Sequence, residues 1–166
     1  MSVISTVLIP IIKLWLRSQV EAIQNLEINV EGSSRQILQG NILQATVSAE
    51  HIIYEGLHVS GINLKANEIH LNIAQILKGE SLKLLQPIAV CMDATLEASD
   101  FQQCLSSPVF LEAIHKTEAP EAKTDAEIRA LIEILVDKLG DDFTLEELTI
   151  ESGNCHCRGS FAIAAT

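Results

Sequence analysis

Between residues 52 and 73 the chain reads IIYEGLHVSGINLKANEIHLNI. Apolar and polar side chains alternate, the period of a half-buried β-strand. The alternation does not keep step. Leu57 and Val59 occupy odd positions, Ile62 and Leu64 even ones, and Ile69, Leu71 and Ile73 odd ones again. A flat strand cannot change its buried face and stay in one sheet. Phase changes of this kind are what β-bulges produce, and each bulge bends and twists its strand. Gly40, Gly56 and Gly61 punctuate the run, so the expected bulges lie beside glycines. The prediction is a sheet that curls strongly enough to wrap around something; the alternative is a turn within the run and several short, flat strands.

The candidate for that something precedes it. Residues 3–24 predict a helix whose polar positions, Thr6, Pro10, Lys13, Arg17, Glu21 and Gln24, make one narrow stripe. A helix apolar over most of its circumference is enclosed by protein or lies in a membrane interface. Pro10 is expected to kink or break it. Trp15, the only tryptophan, sits between Lys13 and Arg17, which suits either a core anchor or a headgroup contact. The apolar stretch from Val7 to Ile12 is too short to span a bilayer.

The rest of the chain continues the α+β pattern. A β meander is predicted over 26–98, with a short helical turn at 74–79 and one long strand over 82–98. Helical segments follow over 99–139, with capping boxes at Ser99/Gln102 and Thr124/Glu127 and a loop at 116–124. Two closing strands are expected within 143–165. The fold class is therefore α+β: a long, strongly curved antiparallel β-sheet wrapped around an N-terminal helix, with additional C-terminal helices. The length of 166 residues fits one domain over 1–166. Aromatics make up 4% against 48% for all apolar residues, so the interior is aliphatic and smooth.

Charge narrows the function. Residues 1–40 balance three acids with three bases, whereas 99–151 carry thirteen acids and four bases. No basic patch with interleaved aromatics is visible, so no nucleic-acid partner is expected. A polyanion gains nothing from long-range attraction to an acidic membrane, so any membrane contact must be hydrophobic or local to the neutral N-terminal part. Cys91, Cys104, Cys155 and Cys157 lack the spacing of a disulfide framework, and no charged n-region or cleavage site is seen. The expectation is a cytoplasmic protein with reduced thiols, at most peripheral on a membrane.

Little chemistry is legible. Cys155-His156-Cys157 is the one metal-like fragment, but in a strand its sulfurs and imidazole point oppositely. Asp137, Asp141 and Asp142 read as a solvated face. No phosphate loop, nucleophile elbow or zinc-protease signature is present. No enzyme, no metal and no cofactor are expected, and a small hydrolase or metal enzyme around His156 and the cysteines is the weaker rival.

Five segments carry a family resemblance: LRSQVE at 16–21, RQILQG at 35–40, YEGLHVS at 54–60, ILKGESLKLLQP at 76–87 and SDFQQCLSSP at 99–108. In them the chain resembles the LmeA-like phospholipid-binding proteins, long catalogued as a domain of unknown function. The resemblance implies a tubular lipid-binding type of fold, with an apolar groove for acyl chains between helix and sheet. Envelope members of that family carry an export or lipoprotein signal, and that pattern is not seen here. The expected lipid-lining residues are Leu8, Ile11, Ile12 and Trp15 of the helix. From the sheet they are Val47, Ile62, Leu64, Ile69, Leu71, Ile88, Val90 and Leu96. The expected function is non-enzymatic binding or carriage of phospholipid or another acyl-chain lipid, with transient membrane docking. The alternative is a ligand-free protein–protein interaction module of the same fold, closed and dry, including a homodimer.

Overall fold

A computed structural model describes residues 7–115, 120, 124–138 and 143–166. Residues 3–6, most of the 116–124 loop and residues 139–142 lie outside that set. The described chain begins with α1 (Ile9–Ser18) and β1 (Ala22–Glu31), followed by α2 (Ser34–Leu38). The hairpin β2 (Asn41–Tyr54) and β3 (Leu57–His70) leads through α3 (Ile73–Leu77) to β4 (Ile88–Leu96). Helices α4 (Ala98–Cys104), α5 (Pro108–Ala113) and α6 (Asp125–Lys138) precede the final hairpin, β5 (Phe143–Glu151) and β6 (Asn154–Ile163). The six strands form one open antiparallel sheet in the order β1-β2-β3-β4-β6-β5.

The phase changes are real, and three of them fall on left-handed polar residues rather than on glycines. Asn25, His51 and Glu68 hold left-handed backbone, with φ of 51°, 48° and 53°. Asn and His are among the residues that tolerate this region best. Between β1 and β2 the register shifts on either side of Gln24↔Glu50. An extra residue in β2 at His51 faces β1, and an extra residue in β1 at Asn25 faces β2, so the two bulges cancel. Asn25 Nδ2 donates to Glu50 Oε2 at 2.7 Å across the site. The outcome is that Ile23 and Leu26, Ala49 and Ile52, and Ala66 and Ile69 all return to the apolar side. Gly56 instead pairs with Glu55 in the β2–β3 turn, with φ of 84° and 50°. The change between Val59 and Ile62, which pack in one cluster, does fall at Ser60-Gly61, opposite His51 and without a register shift between β2 and β3.

The predicted first helix is too long at its C-terminal end. It stops at Ser18, and by Glu21 the backbone N–H already donates to the Ile53 carbonyl at 2.8 Å. The polar stripe explains the error: Glu21 and Gln24 continue the three-to-four spacing of Lys13 and Arg17, which imitates a helical repeat. Pro10 falls in the first turn of regular α-helix, where a missing N–H is tolerated, and Val7 and Leu8 before it form a wider π-type turn.

Two further readings change. The predicted long strand over 82–98 is a strand only from Ile88. Residues before Pro87 are held by a buried side chain: Asn72 Nδ2 donates to the Ser81 carbonyl at 2.8 Å, and Asn72 Oδ1 accepts from Lys83 N at 2.7 Å. The expected Ser99/Gln102 box is absent, since α4 begins at Ala98 with no local side-chain cap. Its entry is secured from afar, with Ser60 Oγ accepting from Glu97 N and Asn154 Oδ1 from Ala98 N. Thr124 does cap α6, accepting from Glu127 N at 3.2 Å. An unforeseen capping box, Ser33 with Gln36, starts α2.

All helices pack on one face. Val90 and Leu96 share a face of β4, as Phe161 and Cys155 share a face of β6. Val90 and Phe161 belong to a cluster with Leu8, Ile11 and Ile12. Leu96 and Cys155 belong to another with Phe101, Phe110, Ile128 and Ile132 of α4–α6. The apolar face is thus covered by α1–α3 towards one end and by α4–α6 towards the other.

Gly40 fixes the junction of α2 with β2. Its φ is 94°, its carbonyl accepts from Leu71 N at 2.8 Å, and an added Cβ would run into the Leu71 carbonyl oxygen. Gly40→Ala is expected to destabilise the protein by about 2 kcal/mol or more, read as a lower denaturation midpoint.

Candidate functional site: an apolar cleft under the first helix

The cleft is built from alternating positions of four strands and one helix. Ala45 of β2, Leu64 and Ala66 of β3, Ile88 and Val90 of β4 and Ile163 of β6 supply the floor. Ile42, Ile69 and Leu71 rejoin it after the backbone inversion at Glu68. Ile12, Trp15 and Leu16 of α1 form the roof, and Leu82 and Leu84 close one side. Leu84 is held there by its N–H donating to Thr166 Oγ1 at 2.8 Å. Lys65 is the only charged residue among the lining side chains, so the cleft offers almost nothing but hydrocarbon. Its volume is about 110 Å³.

A second, wider hollow of about 810 Å³ runs across β1–β4 and β6. Ile28, Val47, Leu64 and Met92 lie along its middle, and polar neighbours such as Glu27, Asn63, Asp93 and Arg158 flank them. Lys13 of α1 also reaches it. Val47, Leu64 and Lys65 line both spaces, so an apolar slot and a polar-rimmed hollow adjoin.

The roof is lightly attached. No residue from Ile9 to Ser18 is fully buried, and Leu14 is 71% exposed. Leu8, just before the helix, is the buried anchor of this segment. A helix held by half-buried side chains opens more cheaply than one locked into a core.

Of the twelve residues expected to line a lipid site, eight meet in the cleft: Ile12, Trp15, Val47, Leu64, Ile69, Leu71, Ile88 and Val90. Leu8 and Ile11 pack into the cluster behind it. Ile62 lies with Leu26, Ala49 and Ile52 in a separate cluster, and Leu96 lies under the C-terminal helices. Strand parity alone cannot distinguish these places along one face. Sequence reading missed Leu16, Ile42, Ala45, Lys65, Ala66, Leu82, Leu84 and Ile163. Ile42, Ala45 and Ala66 straddle the inversion. Leu82, Leu84 and Ile163 carried a usable signal, since each shares the alternation of Ile88 or Phe161.

The family model of LmeA-like phospholipid-binding proteins matches residues 2–119. The chain belongs to that family. Every cleft residue except Ile163 falls inside the matched span, whereas α6, β5 and β6 lie beyond it. The family description names binding and no reaction. No curated protein and no solved structure matches the chain. No helix among the described residues is long and apolar enough to cross a membrane.

The metal-like fragment takes the geometry of its strand. Cys155 is buried beside Phe101 and Phe110, while His156 turns away and binds Asp93, Nε2 to Oδ1 at 2.5 Å. Among the described residues no three His, Cys, Asp or Glu side chains converge as a metal site would require. Burial, aided by the neighbouring Cys157, pushes the Cys155 thiol up to about 11. Burial also raises Cys157 and Cys104. A protonated thiol is neither a nucleophile nor a ligand.

Because the folded Cys155 thiol holds its proton more tightly than an unfolded one, its contribution to stability is intact below pH 9.0 and falls as pH rises through about 11. Cys155→Ala is expected to flatten the alkaline limb of a denaturation-midpoint profile without moving the neutral part of its slope. An unchanged alkaline slope contradicts the assignment.

Proposed function

We propose that this chain binds the acyl part of a phospholipid or similar lipid in the cleft beneath α1, and carries it between membranes by transient docking, with no bond-breaking step. The observation that supports this most is the lining: sixteen residues from one helix, four strands and a loop, with Lys65 alone charged. A solvent-filled slot of that composition is unfavourable unless something apolar fills it.

Magnitudes favour carriage over tight storage. Withdrawing a sixteen-carbon chain from water gains on the order of 10 kcal/mol. A lipid in a bilayer already has that gain, so moving it into the cleft is nearly neutral overall. Near-neutral exchange is what a carrier needs. The polar rim of the adjoining hollow, with Lys13 beside it, suits a headgroup that must stay hydrated.

Size adds a condition. At about 110 Å³ the cleft falls below the roughly 300 Å³ at which small-molecule pockets begin. A full acyl chain therefore needs α1 to lift or the chain to run on into the hollow. The same small volume is the observation favouring the second reading, a dry interaction module that meets a protein partner or a second copy.

Native mass spectrometry of protein mixed with phospholipid separates the two. The wild-type chain is expected to retain lipid, and Ala66→Trp, which fills the floor, to lose at least about ten-fold in occupancy. Circular dichroism checks that the variant is folded. A lipid-free wild-type protein, or a folded variant with undiminished occupancy, removes the carrier reading.

A further inference from the structure

We infer that the end of the molecule formed by α2, α3 and the start of α1 is the surface that meets a lipid bilayer, with Leu38 and Leu77 entering the acyl boundary. This inference rests on the reading of the cleft as a lipid site. Two five-residue helices meet there, and they enclose a small crevice with Val7 and Leu8. Each contributes buried residues to the core, Ile37 from α2 and Ile73 and Ile76 from α3. Each also turns a leucine outward: Leu38 is 44% exposed and Leu77 50%. Both outward leucines line the same crevice. The pair forms a single apolar point where two separate surface residues would need no explanation.

Charge sets the orientation at an anionic bilayer. Arg35 lies one turn before Leu38, Lys78 follows Leu77, and Lys83 is on the next loop, all exposed. The acids at this end are Glu31, Glu80 and Glu68, which lines a hollow with Gln36 of α2. This end is therefore balanced in charge, while residues 99–151 carry thirteen acids against four bases. An anionic bilayer repels the second and not the first, which turns the molecule leucines-first. Trp15 does not serve this surface, because it lies in the cleft roof.

Continuity gives the contact a purpose. Ile37, Ile73 and Ile76 behind the leucines belong to the same cluster as Ile42, Ile69, Leu71 and Leu84, which line the cleft. Docking here places bilayer hydrocarbon at the end of an unbroken apolar path to the lipid slot.

The test is flotation with vesicles of phosphatidylcholine containing about one-third phosphatidylglycerol. Leu38→Asp with Leu77→Asp is expected to reduce bound protein by about ten-fold or more. Arg35→Glu with Lys78→Glu should reduce it several-fold, and Leu14→Asp, an exposed leucine outside the tip, should leave it unchanged. Since these side chains are exposed, unaltered circular dichroism is expected throughout. Undiminished flotation of the double aspartate variant, an equal loss in Leu14→Asp, or no flotation of the wild type overturns the inference. Uptake of monomeric lysophosphatidylcholine from solution, read by native mass spectrometry, tests the cleft separately. It should survive in the double aspartate variant, and its absence in the wild type would refute the cleft reading alone.

Discussion

This chain has a continuous apolar face because its strands change phase at three residues held in the left-handed region and at the positions that pair opposite two of them. Without the inversions at Asn25, His51 and Glu68, the apolar residues of β1, β2 and β3 would change sides of the sheet partway along. Each such residue costs about 1 kcal/mol or more of backbone strain. That cost is small against the burial of Leu26, Ala49, Ile52, Ala66 and Ile69, each gaining on the order of 1–3 kcal/mol. The bulges also raise local twist, so the device that keeps the face apolar also curls the sheet. Curvature and lining come from one cause.

A face that long cannot be covered by one short helix. The chain covers it twice, with α4–α6 over one end and α1–α3 over the other, and the two coverings differ in kind. The C-terminal side is a filled core in which Phe101, Leu105 and Phe110 are almost wholly buried. On the N-terminal side, α1 rests on half-buried contacts and leaves a slot beneath it. The residues matched by the LmeA-like phospholipid-binding family, 2–119, hold all of the slot except Ile163, together with α4 and α5 of the filled side. The lightly held roof, the hydrocarbon lining and the exposed leucines at the tip are consistent with one cycle of docking, opening and exchange.

Much of the fold was legible in the sequence, and the failures share a physical origin. The alternation named the strands, and the uneven alternation named the bending. Because the phase changes were attributed to glycine, those at Asn25, His51 and Glu68 were missed, although Asn and His take a positive φ more readily than most residues. The start of β1 reads as helix because Glu21 and Gln24 continue the polar stripe of Lys13 and Arg17. Tertiary caps such as Ser60 on Glu97 are invisible to any window of neighbouring residues. In the cleft, Ile12, Trp15, Val90 and their neighbours could be read from parity. Leu96 could not be excluded, because parity fixes the face and says nothing of which helix covers it.

The central claim is that the roof of the cleft contacts acyl chains, and Trp15 reports on it directly. It is the only tryptophan in the chain, and its side chain is part of the roof. The decisive measurement is Trp15 fluorescence after loading with a phospholipid brominated on its acyl chain, with vesicles removed by gel filtration. Strong quenching relative to the unbrominated lipid is the predicted result, because bromine quenches only near contact. Equal fluorescence with both lipids, at matched and confirmed occupancy, would place the acyl chain elsewhere and contradict the account.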